Sequence, residues 1–510
     1  MSTRRDWLRQ MVLAAQAPAL LRADRPGASW GSMAGDVTPG EATIWSRCDR
    51  PARMLVSWRT SPNGALQRVR GPVVTPETDF TGRVHLSGVP SGQTVLYEVQ
   101  FEELTRGKAV SEPVAGRFRS APSAKSQVSF TWSGDVAGQG WGINPEWGGM
   151  RGFEAVRQAQ PDFFIHSGDT IYADGPIQAE VKLRDGSLWR NVVTEAKAKV
   201  AQTLADFRGN YLYNLSDANV RRFHSEVAQV WQWDDHEVLN NWSPGKDLRP
   251  DTRYQEKDIR NLVANGRQAF LEYSPIRFSN AATARIYRTI PYGPLVEVFV
   301  LDMRSYRGPN TYNRQEQEGT ETAYLGKLQL DKLQGEVTRS KAVWKVIASD
   351  MPLGLMVGDG KDPEGREKFE NSANGAGPAL GRELELARLL GHWKQNKVKN
   401  IVWLTADTHY TSANHYHPDR AESKNFDPFW EFVSGPLHAG TFGPNPLDNT
   451  FGPQVVYQKA PPPGQANLPP SAGYQFFGEV KIDPKDFTMT VHLRDIAGNV
   501  LFTKELSATI

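Results

Sequence analysis

Apolar, β-prone residues in this chain come in short runs, and four of those runs end in acidic or histidine residues. FTWSGD closes on Asp135, FFIHSGDTIY carries Asp169 and Tyr172, VWQWDDHE carries Asp235 and His236, and IVWLTADTH carries Asp407 and His409. Few charges interrupt these runs, which predicts buried strands of a parallel sheet, and open α/β sheets collect their chemistry at the carboxyl ends of such strands. Between the first two runs lie a Gly-rich loop through Gln139, Trp141 and Asn144 and an amphipathic stretch from Phe153 to Ala159. That is a βαβ unit, and it brings Asp135 and Asp169 to one sheet edge.

Further along, a helical region with Phe207, Tyr211 and Tyr213 precedes VAQVWQW; LVEVFVLDMR, AVWKVIASD, a helix around Glu383 to Trp393 and KNIVWLTADTH follow. The last part, GEVKID and TMTVHLRD, reads as antiparallel strands. A two-sheet α/β sandwich over residues 121–510 accounts for this mixture better than one Rossmann sheet. Ahead of it, EATIWSRC, RMLVSWRT, RVHLSG, TVLYEVQF and GRFRS alternate between turn signals such as Ser61-Pro62-Asn63-Gly64. They predict a small antiparallel β-sandwich of immunoglobulin or fibronectin type over 27–120, joined through the polar linker APSAKSQ. This part has no acid and histidine cluster, so its expected role is packing or covering.

Composition narrows the chemistry. Lys plus Arg (59) nearly balances Asp plus Glu (57), so no global field suits nucleic acid or an anionic membrane, and the expected partner is a small molecule. The single cysteine, Cys48, excludes an intramolecular disulfide framework and a thiolate-rich zinc site, leaving Asp, Asn, Tyr and His as metal ligands. Residues 1–26 read as an address: Arg4 and Arg5 precede a weakly apolar stretch from Met11 to Leu21 that is shorter than a membrane span. It resembles a twin-arginine export signal, which implies the export machinery as a partner and a periplasmic or secreted location; a disordered basic terminus is the plainer reading.

Asp169 and Tyr172 stand three apart just after a strand, where a tight turn can aim both at one ion. A phenol becomes a ligand when a strong Lewis acid lowers its pKa, so Tyr172 argues for trivalent iron; taken alone, the pair is better explained by a turn-capping Asp beside a packed Tyr, and its value comes from the other strand ends. Neighbouring side chains on a strand alternate faces, so Asp234 and Asp235 do not both enter one site. Asp235 is read as the ligand and His236 as the group that neutralises phosphate or protonates a leaving oxygen, with Asn241 close by to meet substrate; a helix N-cap by Asp235 is the competing account. Asp407 and His409, two apart, share one face and suit two adjacent ions.

Taken in order, Asp135, Gly168-Asp169-x-x-Tyr172, Trp233-Asp234-Asp235-His236-Glu237 and Ala406-Asp407-x-His409 resemble the alkaline phosphatase D family, within the calcineurin-like and purple-acid-phosphatase metallophosphoesterases. The likeness spans essentially the whole chain, including the LDMRSYR segment with Asp302, Arg304 and Arg307. It implies a ferric site of Asp135, Asp169, Tyr172 and His409, with Asp169 bridging to a divalent, calcium-like site of Asp235 and Asp407; manganese and zinc are the alternatives. Asp350, in VIASDMPLG, falls where other metallophosphoesterases place a ligand. One departure stands out: the family's first strand ends in a Ser-Cys motif, whereas this chain has Ser133-Gly134-Asp135, as purple acid phosphatases do. Arg304, counted as catalytic, and Arg307 are expected to bind the substrate's non-bridging oxygens, although an aspartate-arginine pair inside a core strand fits as well. His438, in FVSGPLHAG, is expected to line the pocket.

The implied activity is hydrolysis of phosphate mono- or diesters by metal-activated water, with no protein nucleophile and no Gly-x-Ser-x-Gly elbow. The alternatives are a phosphate- or calcium-binding scaffold with reduced turnover and a phospholipase-type phosphodiesterase.

Overall fold

In the computed structural model, which describes residues 25–105 and 108–510, the four apolar runs form strands buried on both faces. Along Phe163–Ser167, Phe163 and Ile165 point to one side and Phe164 to the other, and all three are fully buried. The period of two thus serves two separate cores. The expected export segment at 1–26 lies outside the described residues except for its last two. Among the described residues, no helix is long and apolar enough to cross a membrane.

Two sheets face each other across one apolar layer. The nine-stranded sheet runs Val500–Leu506, Met489–Asp495, Phe476–Ile482, Val128–Ser133, Phe163–Ser167, Ala228–Gln232, Ser32–Thr38, Glu41–Arg47, Thr81–Ser87. The seven-stranded sheet runs Arg288–Pro291, Val296–Val300, Trp344–Ala348, Ile401–Thr405, Phe429–Val433, Thr411–Tyr416, Pro453–Lys459. Val128–Ser133, Phe163–Ser167 and Ala228–Gln232 are mutually parallel, as are Val296–Val300, Trp344–Ala348, Ile401–Thr405 and Phe429–Val433.

Between the sheets Phe130, Trp132, Ile165 and Val230 meet Val298, Val346, Leu404 and Phe432. Outside the larger sheet, helices Arg151–Gln158, Leu204–Leu215, Ala218–Glu226 and Ile259–Tyr273 bring Phe153, Phe207, Phe223 and Phe270 onto Phe164 and Trp231. Outside the smaller one, helices Lys327–Arg339 and Glu383–Gln395 bring Leu330, Leu389 and Trp393 onto Phe299, Ile347 and Trp403. The result is the expected two-sheet α/β sandwich. At about 25 cal/mol per Å² of apolar surface, these buried aromatic faces are the main stabilising term.

The amino-terminal strands complete a β-sandwich, with one addition that the sequence does not announce. Gln67–Val74, Ala52–Arg59, Thr94–Glu103 and Val114–Arg119 form a four-stranded sheet. Its partner layer, Ser32–Thr38, Glu41–Arg47 and Thr81–Ser87, is not separate but continues the nine-stranded sheet, pairing in parallel with Ala228–Gln232 through Gly35 and Gln229. Gly35 makes this approach feasible, because a Cβ there would lie 2.8 Å from the Gln229 carbonyl and 2.6 Å from Pro275. Arg288 clamps Asp36 at 2.7 Å and the Trp45 indole donates to the Glu272 carbonyl at 2.7 Å, fastening the same seam.

Candidate metal centre

Three of the four strand ends turn sharply at the acidic and histidine residues themselves. Asp135, Asp169, Asp407 and His409 all have φ between 51° and 65°. Left-handed backbone at non-glycine residues is uncommon, costs roughly 1–3 kcal/mol each where strained, and concentrates at functional sites. Hydrogen bonds lock the turns together: Val136 N–H to the Asp169 carbonyl (3.0 Å), His438 N–H to the Asp135 carbonyl (3.1 Å) and His236 N–H to Asp169 Oδ1 (3.1 Å). Gly168, at φ 89°, lets this bundle close, since a Cβ would sit 2.5 Å from that of Asp234.

The side chains converge as two groups that share one carboxylate. Donor atoms of Asp135, Asp169 and His409 lie within 4.8 Å of one another, and so do those of Asp169, Asp235 and His236. Tyr172 joins the first group, its hydroxyl 2.8 Å from His409 Nε2. The Gly440 carbonyl accepts from His409 Nδ1, which places that ring's proton on Nδ1 and turns the Nε2 lone pair inward. In the second group Asn241 N–H donates to Asp235 Oδ2, while Asp174 Oδ1 takes His236 Nδ1 at 2.6 Å and its other oxygen accepts from Asn240 N–H at 2.9 Å. The His236 ring stacks on Tyr172 at 4.1 Å between centroids.

Negative charge dominates the cluster. Burial, and then the neighbouring carboxylates, hold Asp135, Asp169, Asp350 and Asp407 well above the usual carboxyl range. Burial and the charges of Asp169 and Asp135 likewise keep the Tyr172 phenol protonated. Asp135 Oδ2 and Asp235 Oδ1 are buried with no hydrogen-bond partner among the described residues. Converging hard oxygens, one inward imidazole and orphaned carboxylate atoms together fit bound cations, which alone would let so many buried acids ionise. Burial pulls His409 down to about 4, so it stays neutral. Burial also acts against the charge on His236, yet Asp174 and Asp235 push its pKa up to about 9.

The expected site residues divide into those that meet and those that stand apart. Asp135, Asp169, Tyr172, Asp235, His236 and His409 come together. Asp407 is half-buried outside both groups, within the field of Asp234, Glu370 and Asp235. Asp350 is fully buried, 3.8 Å from Arg304 Nε. Asn241 lies at the rim, with its side-chain amide turned to the Gly358 carbonyl at 3.3 Å.

Three expectations are corrected. Arg304 does not face substrate: it is wholly buried, donating to Asp234 and, at 2.6 Å, to Glu370, and it serves as the counter-charge beneath the carboxylates. Arg307 is also buried, bound to Asn310 at 3.0 Å and lying over the Tyr324 ring. His438 does not line an open pocket; it is enclosed between Trp147 and Trp189, with Nε2 2.9 Å from the Gly142 carbonyl, and its backbone braces Asp135. Asp234 and Asp235 lie beyond the end of strand Ala228–Gln232, and Arg304 pairs with Asp234 and stands 3.9 Å from Asp235.

Asp174 is absent from the sequence-based candidates, and Glu237 is among the motif residues without an assigned role. Asp174 is the partner of His236, and its only signal was a second acid five residues after Asp169 in the same loop. Glu237 accepts from Thr170 N–H and Oγ1–H, both at 2.6 Å, and from Asp234 N–H at 2.8 Å, which ties two strand ends together.

Comparison with known proteins agrees with this geometry. The profile of the PhoD-like phosphatase family matches residues 130–493, and that of the PhoD-like phosphatase N-terminal domain matches residues 14–122. Alkaline phosphatase D of Bacillus subtilis (strain 168) is 28% identical over 315 residues, which is 58% of this chain and 50% of that protein, so the match spans about half of the relative. Among solved structures, PhoD superposes with a TM-score of 0.69 at 19% identity, covering 96% of this chain and 93% of that one. The purple acid phosphatase PPD1 from yellow lupin (Lupinus luteus) seeds superposes with a TM-score of 0.55 at 13% identity, over 95% of this chain and 74% of that one. At these identities the two structures speak for the fold.

Proposed function

This chain belongs to the PhoD-like phosphatase family, and from that premise we propose that it hydrolyses phosphate mono- or diesters at the carboxyl ends of its parallel strands. The observation that carries the reading is Asp169, whose carboxylate belongs to both donor groups at once. On this reading Asp135, Asp169, Tyr172 and His409 hold a ferric ion. Asp169, Asp235 and Asp407 hold a divalent one, calcium first and manganese or zinc as alternatives, with Asp350 behind them. When bound, such a pair clamps phosphate oxygens and lowers the pKa of water.

The chain's own residues supply the rest. Asp174 accepts the Nδ1 proton of His236, fixing the ring against Tyr172 and leaving Nε2 to carry the second proton beside Asp235, 3.8 Å away. That proton goes to the departing ester oxygen. Arg304 and Asp234 neutralise each other beneath the site, so Asp235 is presented from a rigid base. Gly440 holds His409 in the tautomer that offers Nε2 as a ligand.

We extend the proposal to export by the twin-arginine route, on Arg4 and Arg5, to the periplasm or the medium. The partners are then that machinery and a small phosphate ester.

Metal analysis of the purified protein, with turnover of p-nitrophenyl phosphate and bis-p-nitrophenyl phosphate, tests the reading. The expected result is iron plus a divalent ion and a visible tyrosinate-to-iron band that Tyr172→Phe abolishes. A colourless, iron-free protein with full activity refutes the ferric assignment, and a metal-loaded, folded protein inert on both esters refutes the hydrolase reading. Replacing Arg4 and Arg5 by Lys should leave precursor in the cytoplasm; undisturbed export would remove the twin-arginine assignment.

A further inference from the structure

Between Ile177 and Ala201 the chain leaves the two-sheet sandwich on an excursion, none of whose residues belongs to either donor group. It carries a hairpin, Glu180–Lys182 paired with Leu188–Arg190, and then a short helical turn, Ala196–Ala198. The middle residue of that turn, Lys197, is only 2% exposed, while Glu195, Ala198 and Lys199 around it face solvent.

Lysine is almost never fully buried unless it is paired. The partner of Lys197 is not a carboxylate: its Nζ donates to the Tyr172 carbonyl at 2.7 Å, and it forms no ion pair among the described residues. Burial pulls its pKa down to about 7, against the charge of Asp174, which favours the ammonium. Amine and ammonium both donate, so the bond persists on either side of that value. Withdrawing an amino group from water costs stability, and a Met of similar length would fill the same space without that cost. The retained donor therefore points to a task.

The loop it meets shows what the task is. The Lys197 side chain takes the Tyr172 carbonyl, and its own carbonyl accepts from Ile177 N–H at 2.9 Å, so one residue bridges both ends of the segment 172–177. Ala201 N–H adds a bond to the Ala173 carbonyl at 2.8 Å, and Ala173 N–H donates to the His236 carbonyl at 2.9 Å. Within that span lie Tyr172, whose hydroxyl meets His409 Nε2, and Asp174, which accepts from His236 Nδ1. No helix or strand runs through the segment to hold either side chain in place.

We propose that Lys197 is a positioning residue for phosphate-ester hydrolysis, setting Tyr172 and Asp174 together through the one loop that carries both. The inference rests on the hydrolase reading and on the roles that reading gives to Tyr172 and His236.

The test compares the metal-loaded full chain with Lys197→Met, which keeps the length and loses the donor, and with Lys197→Gln, whose N–H donor is one atom shorter. Each positioned residue has its own readout. For Tyr172 it is the tyrosinate-to-iron band, which should shift and weaken per bound iron. For Asp174 it is the ratio of turnover on an alkyl phosphate to that on p-nitrophenyl phosphate, because a displaced His236 matters most where the leaving oxygen needs a proton. Lys197→Met should lose about tenfold on the alkyl ester and far less on the other. Lys197→Gln should change both readouts in the same sense and by less, and it carries the test if Lys197→Met does not fold.

The proposal is overturned if either readout stays at the parent's value, even where the melting temperature falls, or if Lys197→Gln is damaged more than Lys197→Met. A colourless parent refutes the ferric assignment instead and leaves the ester ratio to decide; a parent inert on both esters refutes the hydrolase reading and leaves the band.

Discussion

Two histidines beside the same tyrosine, their rings 4.1 and 6.2 Å from its centroid, are set to different charge states. His409 rests its Nδ1 on a backbone carbonyl and, buried, falls to about 4; His236 rests its Nδ1 on the Asp174 carboxylate and rises to about 9. Both are deeply enclosed, so burial alone does not separate them. The atom behind the ring does: a neutral carbonyl leaves a lone pair for a cation, while a carboxylate stabilises an imidazolium that can give up a proton. On the proposed function, one chemical group thereby serves as ligand in one half of the site and as acid in the other.

Breaking the carboxylate common to both halves should have the largest effect. Asp169→Asn is expected to cut kcat by about 10³ or more on either p-nitrophenyl ester and to lower metal content at both sites; an unchanged rate would make Asp169 a turn cap. Next, His236→Asn should lower kcat by about 10²–10⁴ on an alkyl phosphate and by much less on p-nitrophenyl phosphate, whose leaving group needs no proton. Equal losses on the two esters would assign His236 to phosphate binding.

Asp174→Asn should cost about 10- to 100-fold. On the proposed role, protonated His236 is the active form, so kcat/KM should fall as pH rises through its pKa. Without the Asp174 charge that pKa drops, and the basic limb must move to lower pH; a stationary limb would detach the dyad from catalysis.

The smallest effect is a control outside both halves. Burial, then Asp448, pushes Glu383 up to about 9. A raised carboxyl pKa favours folding fully below the unfolded value of 4.5 and progressively less as pH climbs toward 9. The melting temperature of the parent should therefore decline from pH 6 to 9 more than that of Glu383→Gln, with activity unaltered. Parallel declines would show that Glu383 is solvated when charged.

The strands and their acidic ends were legible in the sequence because a doubly buried strand must be apolar throughout and a turn at its end must be made by whatever follows. Asp135, Asp169, Asp235 and His409 stand out on that ground alone. Arg304 was misread because one sequence does not reveal whether an arginine beside a core strand reaches water or a buried acid; here Asp234 and Glu370 capture it from 70 and 66 residues away. Asp174 was passed over for a related reason: its task is defined by a ring 62 residues later. The β-sandwich pattern of residues 27–120 was clear, but the attachment of its inner layer to the nine-stranded sheet depends on the pairing of Gly35 with Gln229, a long-range register that no local periodicity encodes.

That attachment sets how the chain can be divided. The two family profiles part between residues 122 and 130, and a cloning boundary there looks natural. Yet a fragment begun at residue 122 would strip the Ala228–Gln232 strand of its neighbour and present a row of open amides and carbonyls, flanked by Trp231, to any passing chain. Such a fragment should come out of expression as aggregate, and adding the 27–120 segment as a separate polypeptide should return it to solution by refilling that edge. In evolutionary terms the leading segment is then less a module that can be shuffled than a permanent rim of the enzyme's central sheet.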